Sequence, residues 1–156
     1  MKKRFNTTGS CNPAQHYMVN TSSKLAQIEE YIEEGSYFTI NRARQFGKTT
    51  TMDLLFDRLS DRYLVVQISF EGAGEQYFRD EVTFCDRFKE SIAMVLKYTP
   101  WQSERNLWIS SVRTDSLDEL SDSLTDFCMQ IERPVLLMID EVDKSSDNQL
   151  FLNLLG

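Results

Sequence analysis

The residues with the most chemical content are Arg42-Ala43-Arg44-Gln45-Phe46-Gly47-Lys48-Thr49 and, 92 positions after Lys48, the pair Asp140-Glu141. The first stretch ends in Gly-Lys-Thr, the last three positions of the phosphate-binding pattern G-x-x-x-x-G-K-[ST]. At a helix N-terminus the backbone N–H groups point outward and the helix dipole favours an anion. Gly47 lets the backbone approach a phosphate closely, and Lys48 places a positive charge on its terminal oxygens. The Thr49 hydroxyl is of the type that ligates Mg²⁺. Arg42 stands where the pattern has its first glycine. If the backbone there needs positive φ, a side chain costs about 1–2 kcal/mol. The bland alternative is a chance Gly-Lys-Thr at the start of a helix.

The second signal is Val135-Leu136-Leu137-Met138-Ile139-Asp140-Glu141. An apolar strand that ends in two carboxylates suits a site for a magnesium nucleotide. Asp140 would hold the cation, directly or through water, and Glu141 would orient and activate the attacking water. The alternative is that the acidic pair only caps the following helix.

These residues need elements to position them. Ser22 or Ser23 is expected to cap a helix over 24–34, with Leu25, Ile28, Tyr31 and Ile32 as its apolar stripe and Gly35 as its stop. Tyr37 to Ile40 reads as a short buried strand, and 41–47 as loop. A second helix from Lys48 carries Met52, Leu55, Phe56 and Leu59 on one face. Leu64 to Phe70 is the next strand, ended by Glu71-Gly72-Ala73-Gly74. A helix over 78–97 follows, lined by Phe84, Phe88, Ile92, Val95 and Leu96. The stretch 99–114 has no clear period. Ser116 and Glu119 form a capping box ahead of a helix bearing Leu117, Leu120, Leu124, Phe127, Cys128 and Ile131, which Pro134 ends. Val135 to Ile139 reads as a strand buried on both faces, and a last helix is expected from Asn148. Strands alternating with helices imply an α/β fold with a parallel sheet, whose ligands bind at the carboxyl ends of the strands. The loops after Ile40, Phe70 and Ile139 are expected along that edge.

Composition narrows the function classes. The chain has 156 residues, 41% of them hydrophobic, enough for one ordinary domain. Its net charge of −7 argues against a general nucleic-acid binder. No apolar run is long enough for a membrane span, and nothing reads as a signal peptide. Cys11, Cys85 and Cys128 lack metal-ligand spacing, and Cys85 and Cys128 read as small buried hydrophobes of a reduced, cytoplasmic protein.

Taken with its surroundings, the chain resembles the prokaryotic AAA-like ATPase domains of the P-loop class, in the division with a glutamate after the strand-end aspartate. His16-Tyr17-Met18-Val19, then a short helix, then Gly35 through Thr50, is similar to that family's opening block. These domains also carry Arg at the position of Arg42. Ile139-Asp140-Glu141-Val142-Asp143 resembles the second block. The likeness runs from about Cys11 to the end.

The resemblance implies a three-layer P-loop NTPase fold with a parallel sheet. Residues 1–20 would be a lead-in and 21–156 the N-terminal part of the ATPase domain. It implies ATP and Mg²⁺ as cofactors. Arg42, Ala43, Arg44, Gln45, Phe46, Gly47, Lys48, Thr49 and Thr50 would form the nucleotide loop. Thr49 and Asp140 would be the metal ligands, with Lys48 and Glu141 catalytic. It also implies another strand between the loop strand and the Asp-Glu strand, then a helical lid and an arginine finger. The chain ends 15 residues after Glu141, so the expectation is a longer protein whose output lies further on. The apolar Leu150-Phe151-Leu152-Asn153-Leu154-Leu155 is then a face for self-association or a protein partner.

Several residues have two readings. Arg44 reaches a phosphate or pins its loop to an acidic neighbour. His16 and Tyr17 stack on adenine or, more commonly, serve the core or surface. Glu71 faces the site edge and touches metal-bound water, or is solvated. Trp101 and Trp108 form a partner surface or, more commonly, are buried. The main functional alternative is a nucleotide-gated interaction module that binds ATP without turnover. A GTP switch lacks an N-K-x-D guanine-recognition pattern, and a small-molecule kinase fits the Asp-Glu pair less well than water activation does.

Overall fold

The computed structural model describes residues 3–5, 14–17, 21–41, 47–98 and 101–142. Among them are five α-helices, one 3-10 turn and two strands, a mixed α/β arrangement. The chain divides into two compact units, residues 1–61 and 62–156.

The first unit holds helix α1 (Ser22–Glu33) and helix α2 (Lys48–Leu59). Leu25 and Ile32 are the buried positions of α1, seven apart on one stripe, while Tyr31 stays exposed. The expected serine cap is absent. Thr21 occupies the cap position with no side-chain bond, and both serines lie inside the helix. Gly35 ends α1 as expected, with φ 69°. Its N–H donates to the Ile32 carbonyl and the Ser36 N–H to the Tyr31 carbonyl, the paired bonds of a Schellman motif. Near the N-terminus, Arg4 and His16 form an isolated parallel bridge. Here Arg4 N–H donates to the Gln15 carbonyl and Tyr17 N–H to the Arg4 carbonyl.

Residues 37–40 form no strand, contrary to the sequence expectation. Tyr37 is 98% exposed and Phe38 38%. A strand is held by ladder bonds to a neighbour, and none of the described strands pairs with this segment. Tyr37 and Phe38 are apolar enough to read as core, but apolar character cannot supply those bonds.

The second unit is built on strand β1 (Leu64–Ser69) and strand β2 (Val135–Asp140). They pair in parallel, in register from Leu64↔Val135 to Ser69↔Asp140. Helices α3 (Glu81–Lys97), α4 (Gln102–Ser111) and α5 (Leu117–Gln130) make the crossover between them. Leu64, Val66 and Ile68 of β1 join Phe84, Phe88, Ile92 and Leu96 of α3, Trp108 of α4 and Leu120 and Phe127 of α5 in one core. Val65, on the opposite face of β1, is also buried.

Strand β2 is less covered than its apolar run suggests. Val135 and Ile139 pack against the core, but Leu137 between them is 37% exposed. An apolar run shows only that a strand tolerates burial; how far it is buried depends on the layers laid on it. Likewise Cys85 is buried as expected, but Cys128 is exposed. Phe127 takes the core position of that turn of α5, and the next residue points about 100° around the helix. Burial pushes the Cys85 thiol up to about 11, helped by the nearby Glu81 and Asp86 carboxylates, so it stays protonated at neutral pH. Cys11 lies outside the described residues, as does the helix expected from Asn148.

The helix expected over 78–97 begins later. Residues Glu75–Phe78 form a 3-10 turn that buries Phe78, and Asp80 then caps α3 by accepting the Thr83 N–H at 2.8 Å. Hydrogen bonds from Thr83 and Arg79 hold the Asp80 carboxyl down at about 2, below its ordinary 3.8. A depressed carboxyl stabilises above its unfolded value and loses that contribution as pH falls through the folded one. Asp80→Ala is therefore expected to lower the melting temperature at pH 7. The difference should close as pH falls from about 4 towards 2, which thermal melts across that range check. The α5 start forms half of the expected capping box: Ser116 Oγ accepts the Glu119 N–H at 3.2 Å, while the Glu119 carboxylate turns to Arg113 at 3.6 Å.

Candidate functional site

In the first unit, Gly47 stands at the head of α2 with φ 77° and ψ 26°, in the left-handed region. No atom of the described residues would crowd a Cβ there, and the backbone conformation is what favours glycine. Its carbonyl accepts the Thr51 N–H at 2.9 Å and the Thr51 hydroxyl at 2.8 Å, which ties the turn to the first coil of the helix. Lys48, Thr49 and Thr50 are the first three helical residues; Lys48 and Thr50 are half-buried and Thr49 is exposed. The first turn carries no acidic side chain and the helix has no side-chain cap. The positive end of its dipole is thus not neutralised by a carboxylate of its own first turn. Arg42, Ala43, Arg44, Gln45 and Phe46 lie outside the described residues.

In the second unit, Asp140 closes β2 and its side chain is buried, with 6% of the residue exposed. The Phe70 N–H donates to the Asp140 carbonyl at 3.1 Å, so the carboxyl ends of both strands lie side by side. This is the edge where an α/β sheet presents its ligand-binding loops. Asp140 Oδ1 accepts the Glu141 N–H at 2.8 Å. Glu141 has φ 56° and is the single non-glycine residue with positive φ among those described. It is half-buried. A side chain in that conformation costs about 1–2 kcal/mol, and such outliers concentrate at functional sites. Neither signal is readable from the residue types, since glutamate has no preference for the left-handed region.

Lys48 and Thr49 thus belong to the first unit, Asp140 and Glu141 to the second. Among the described residues no cluster of three or more His, Cys, Asp or Glu side chains stands ready for a metal. Glu71 is exposed just beyond β1, its N–H bonded to Ser69 Oγ at 3.0 Å. His16 is buried and Tyr17 is 52% exposed, its ring 5.0 Å from that of Phe5. Trp108 is fully buried, and Trp101 lies under the Arg133 guanidinium at 4.0 Å.

A groove of about 850 Å³ runs beside the end of β1 and along α3, and sequence reasoning gave no hint of it. Gln67, Ser69, Tyr77, Arg87, Ser91 and Met94 are among its lining residues, whereas Asp140 and Glu141 are not. Tyr77 Oη and Ser91 Oγ meet at 3.2 Å inside it, and burial raises the Tyr77 phenol above its usual value. Its arginines are already matched: Arg79 pairs with Asp80 and Arg87 with Glu90.

No helix among the described residues is long and apolar enough to cross a membrane. Comparison of the chain with family models, with curated proteins and with solved structures yields no match.

Proposed function

We propose that this chain binds ATP with Mg²⁺ through a P-loop of the AAA-like kind and hydrolyses it, in the service of a signalling, defence or remodelling output. The observation that carries the reading is the start of α2. A left-handed Gly47 opens a helix whose first two residues are Lys48 and Thr49 and whose first turn has no acid. That combination suits an anion, because backbone N–H groups, helix dipole and a lysine side chain all favour negative charge. The parallel pairing of β1 and β2 and the carboxylate at the end of β2 support the same reading.

The donor types suit the cation. Mg²⁺ prefers oxygen ligands, keeps several waters and takes few protein groups beside phosphate. One hydroxyl, Thr49, and one carboxylate, Asp140, are the ligands this chain would offer. When bound, Mg²⁺ shields the charge on the phosphates and polarises them. Lys48 would neutralise charge on the transferred group. Glu141 would act as general base, taking a proton from the attacking water.

Lys48→Ala tests the reading at the binding step. Removing a charge-assisted contact to phosphate is expected to weaken ATP binding by about 2–3 kcal/mol, roughly 30- to 150-fold. Titration calorimetry with Mg·ATP measures it directly. Equal affinity in the variant would overturn the assignment of Gly47 to Thr50 as the nucleotide loop.

A further inference from the structure

The groove beside the end of β1 opens on one side of the sheet. Gln67, Ile68 and Ser69, three consecutive residues of β1, line it, and no residue of β2 does. Side chains alternate between the two faces of a strand, so a lining of consecutive residues marks an edge and not a face. It is the edge away from β2. Leu64 N–H and Phe70 N–H go to the Pro134 and Asp140 carbonyls. By the alternation of the ladder, the main-chain groups of Val65, Gln67 and Ser69 then point outward. Val65 is buried, Gln67 half-buried and Ser69 exposed, so this edge opens towards its carboxyl end. No described strand pairs with it.

The other wall is a flank of α3. Thr83, Arg87, Glu90 and Met94 line it at helical intervals over about 16 Å, the span of about five residues of extended chain. The lining has two basic and two acidic side chains, and each is matched. Arg79 pairs with Asp80 and Arg87 with Glu90, and Asp86 accepts from the Thr114 hydroxyl. Charge therefore favours a neutral occupant. Gly74, on the third wall, has φ −79° and ψ 173°, a conformation open to any residue. A Cβ there would meet no atom of the described residues within 4 Å. Neither its backbone nor its packing calls for glycine, whereas close approach of another chain does.

We propose that this groove binds an extended, uncharged peptide segment of a partner protein, which adds to the outer edge of β1 as a short strand. A peptide main chain is neutral and alternates N–H with C=O, which matches the outward groups of this edge. Such main-chain bonds give affinity, and pockets for alternate side chains give specificity. Here Met94 and Val95 on the α3 flank take an apolar side chain, while Ser91 and the Tyr77 hydroxyl stand beside them. The Ser91 proton goes to the Arg87 carbonyl, so Tyr77 donates in the Tyr77–Ser91 pair and its oxygen is left to accept. The peptide site stands apart from the Mg·ATP reading, since neither the head of α2 nor Asp140 lines it.

A random heptapeptide library displayed on phage, panned against the full chain, tests this. The enriched sequences should be uncharged, with apolar residues at every second position. A synthetic copy with capped ends should slow hydrogen exchange of the Ser69 amide. Gly74→Leu should weaken that peptide by roughly tenfold or more by filling the groove. Its melting temperature should stay unchanged, because the backbone there is ordinary and no described atom crowds the site. Ser69→Pro should weaken the peptide as well, since proline removes an outward N–H and no bond to β2. Lack of any enriched peptide, equal affinity for Gly74→Leu, or an unprotected Ser69 amide would each overturn the proposal. A dimer of the unsubstituted chain that Gly74→Leu dissolves would put a second copy in the groove and overturn the assignment to a separate partner.

Discussion

Glu141→Gln is expected to leave Mg·ATP affinity within about twofold of the original while lowering kcat by roughly 10²–10⁴, the usual contribution of a positioned general base. The amide keeps the size and backbone demands of glutamate but accepts no proton at neutral pH. The loss therefore falls on the chemical step and not on the phosphates, which Lys48 and the head of α2 would hold. Single-turnover phosphate release, run beside a binding titration, separates the two. Normal turnover in the variant would remove Glu141 from the mechanism. Tight binding with no turnover even before substitution, in a protein of full natural length, would favour a nucleotide-gated interaction module. The expected contrast with Lys48→Ala, which acts on binding, follows from where each residue sits: one at a helix start, the other past a strand end.

Much of the scaffold was legible because it rests on spacing. The stripes Leu25/Ile32, Met52/Leu55/Leu59 and Phe84/Phe88/Ile92/Leu96 recur at helical intervals, and all are buried. The β-branched run from Leu64 and the apolar run from Val135 are both strands, paired in parallel as the alternation of elements required. Helix α4 was not legible. Leu107, Trp108 and Ile109 are its only large apolar residues and are consecutive, so no period shows. What places it is tertiary: Trp108 is its one fully buried residue, with Leu107 packed against the core beside it. The opposite error arose at 37–40, where local apolar character suggested a strand that only a neighbour could complete. At the candidate site, the residue types named Gly47, Lys48, Thr49, Asp140 and Glu141, while the left-handed backbone of Gly47 came only with the structure. The left-handed Glu141 and its tether to Asp140 could not be foreseen, because they depend on how the end of β2 is held by Phe70 and by Val142.

The largest stability effect is expected at Trp108. Its side chain is fully buried among α3, α4 and α5, edge-on to Phe127 with ring centroids 5.1 Å apart and planes at 78°. Its indole N–H donates to the Lys89 carbonyl at 3.0 Å, which fastens α4 to α3. Lys89 in turn reaches across with its ammonium to the Val112 carbonyl just past the end of α4. Trp108→Ala removes the ring, the edge-to-face contact and the hydrogen bond together and leaves a cavity too large for the three helices to close. The expected cost is about 3–5 kcal/mol. Against a typical domain stability of about 5–15 kcal/mol, that is a large fraction of the whole. Trp108→Phe keeps an aromatic ring against Phe127 and forfeits chiefly the N–H bond and part of the volume, so it should cost clearly less. Urea unfolding of the two variants beside the original separates the terms. If Ala and Phe cost the same, the hydrogen bond to Lys89 would be the dominant contribution. If neither shifts the midpoint, α4 would not be fastened to the core through Trp108 at all.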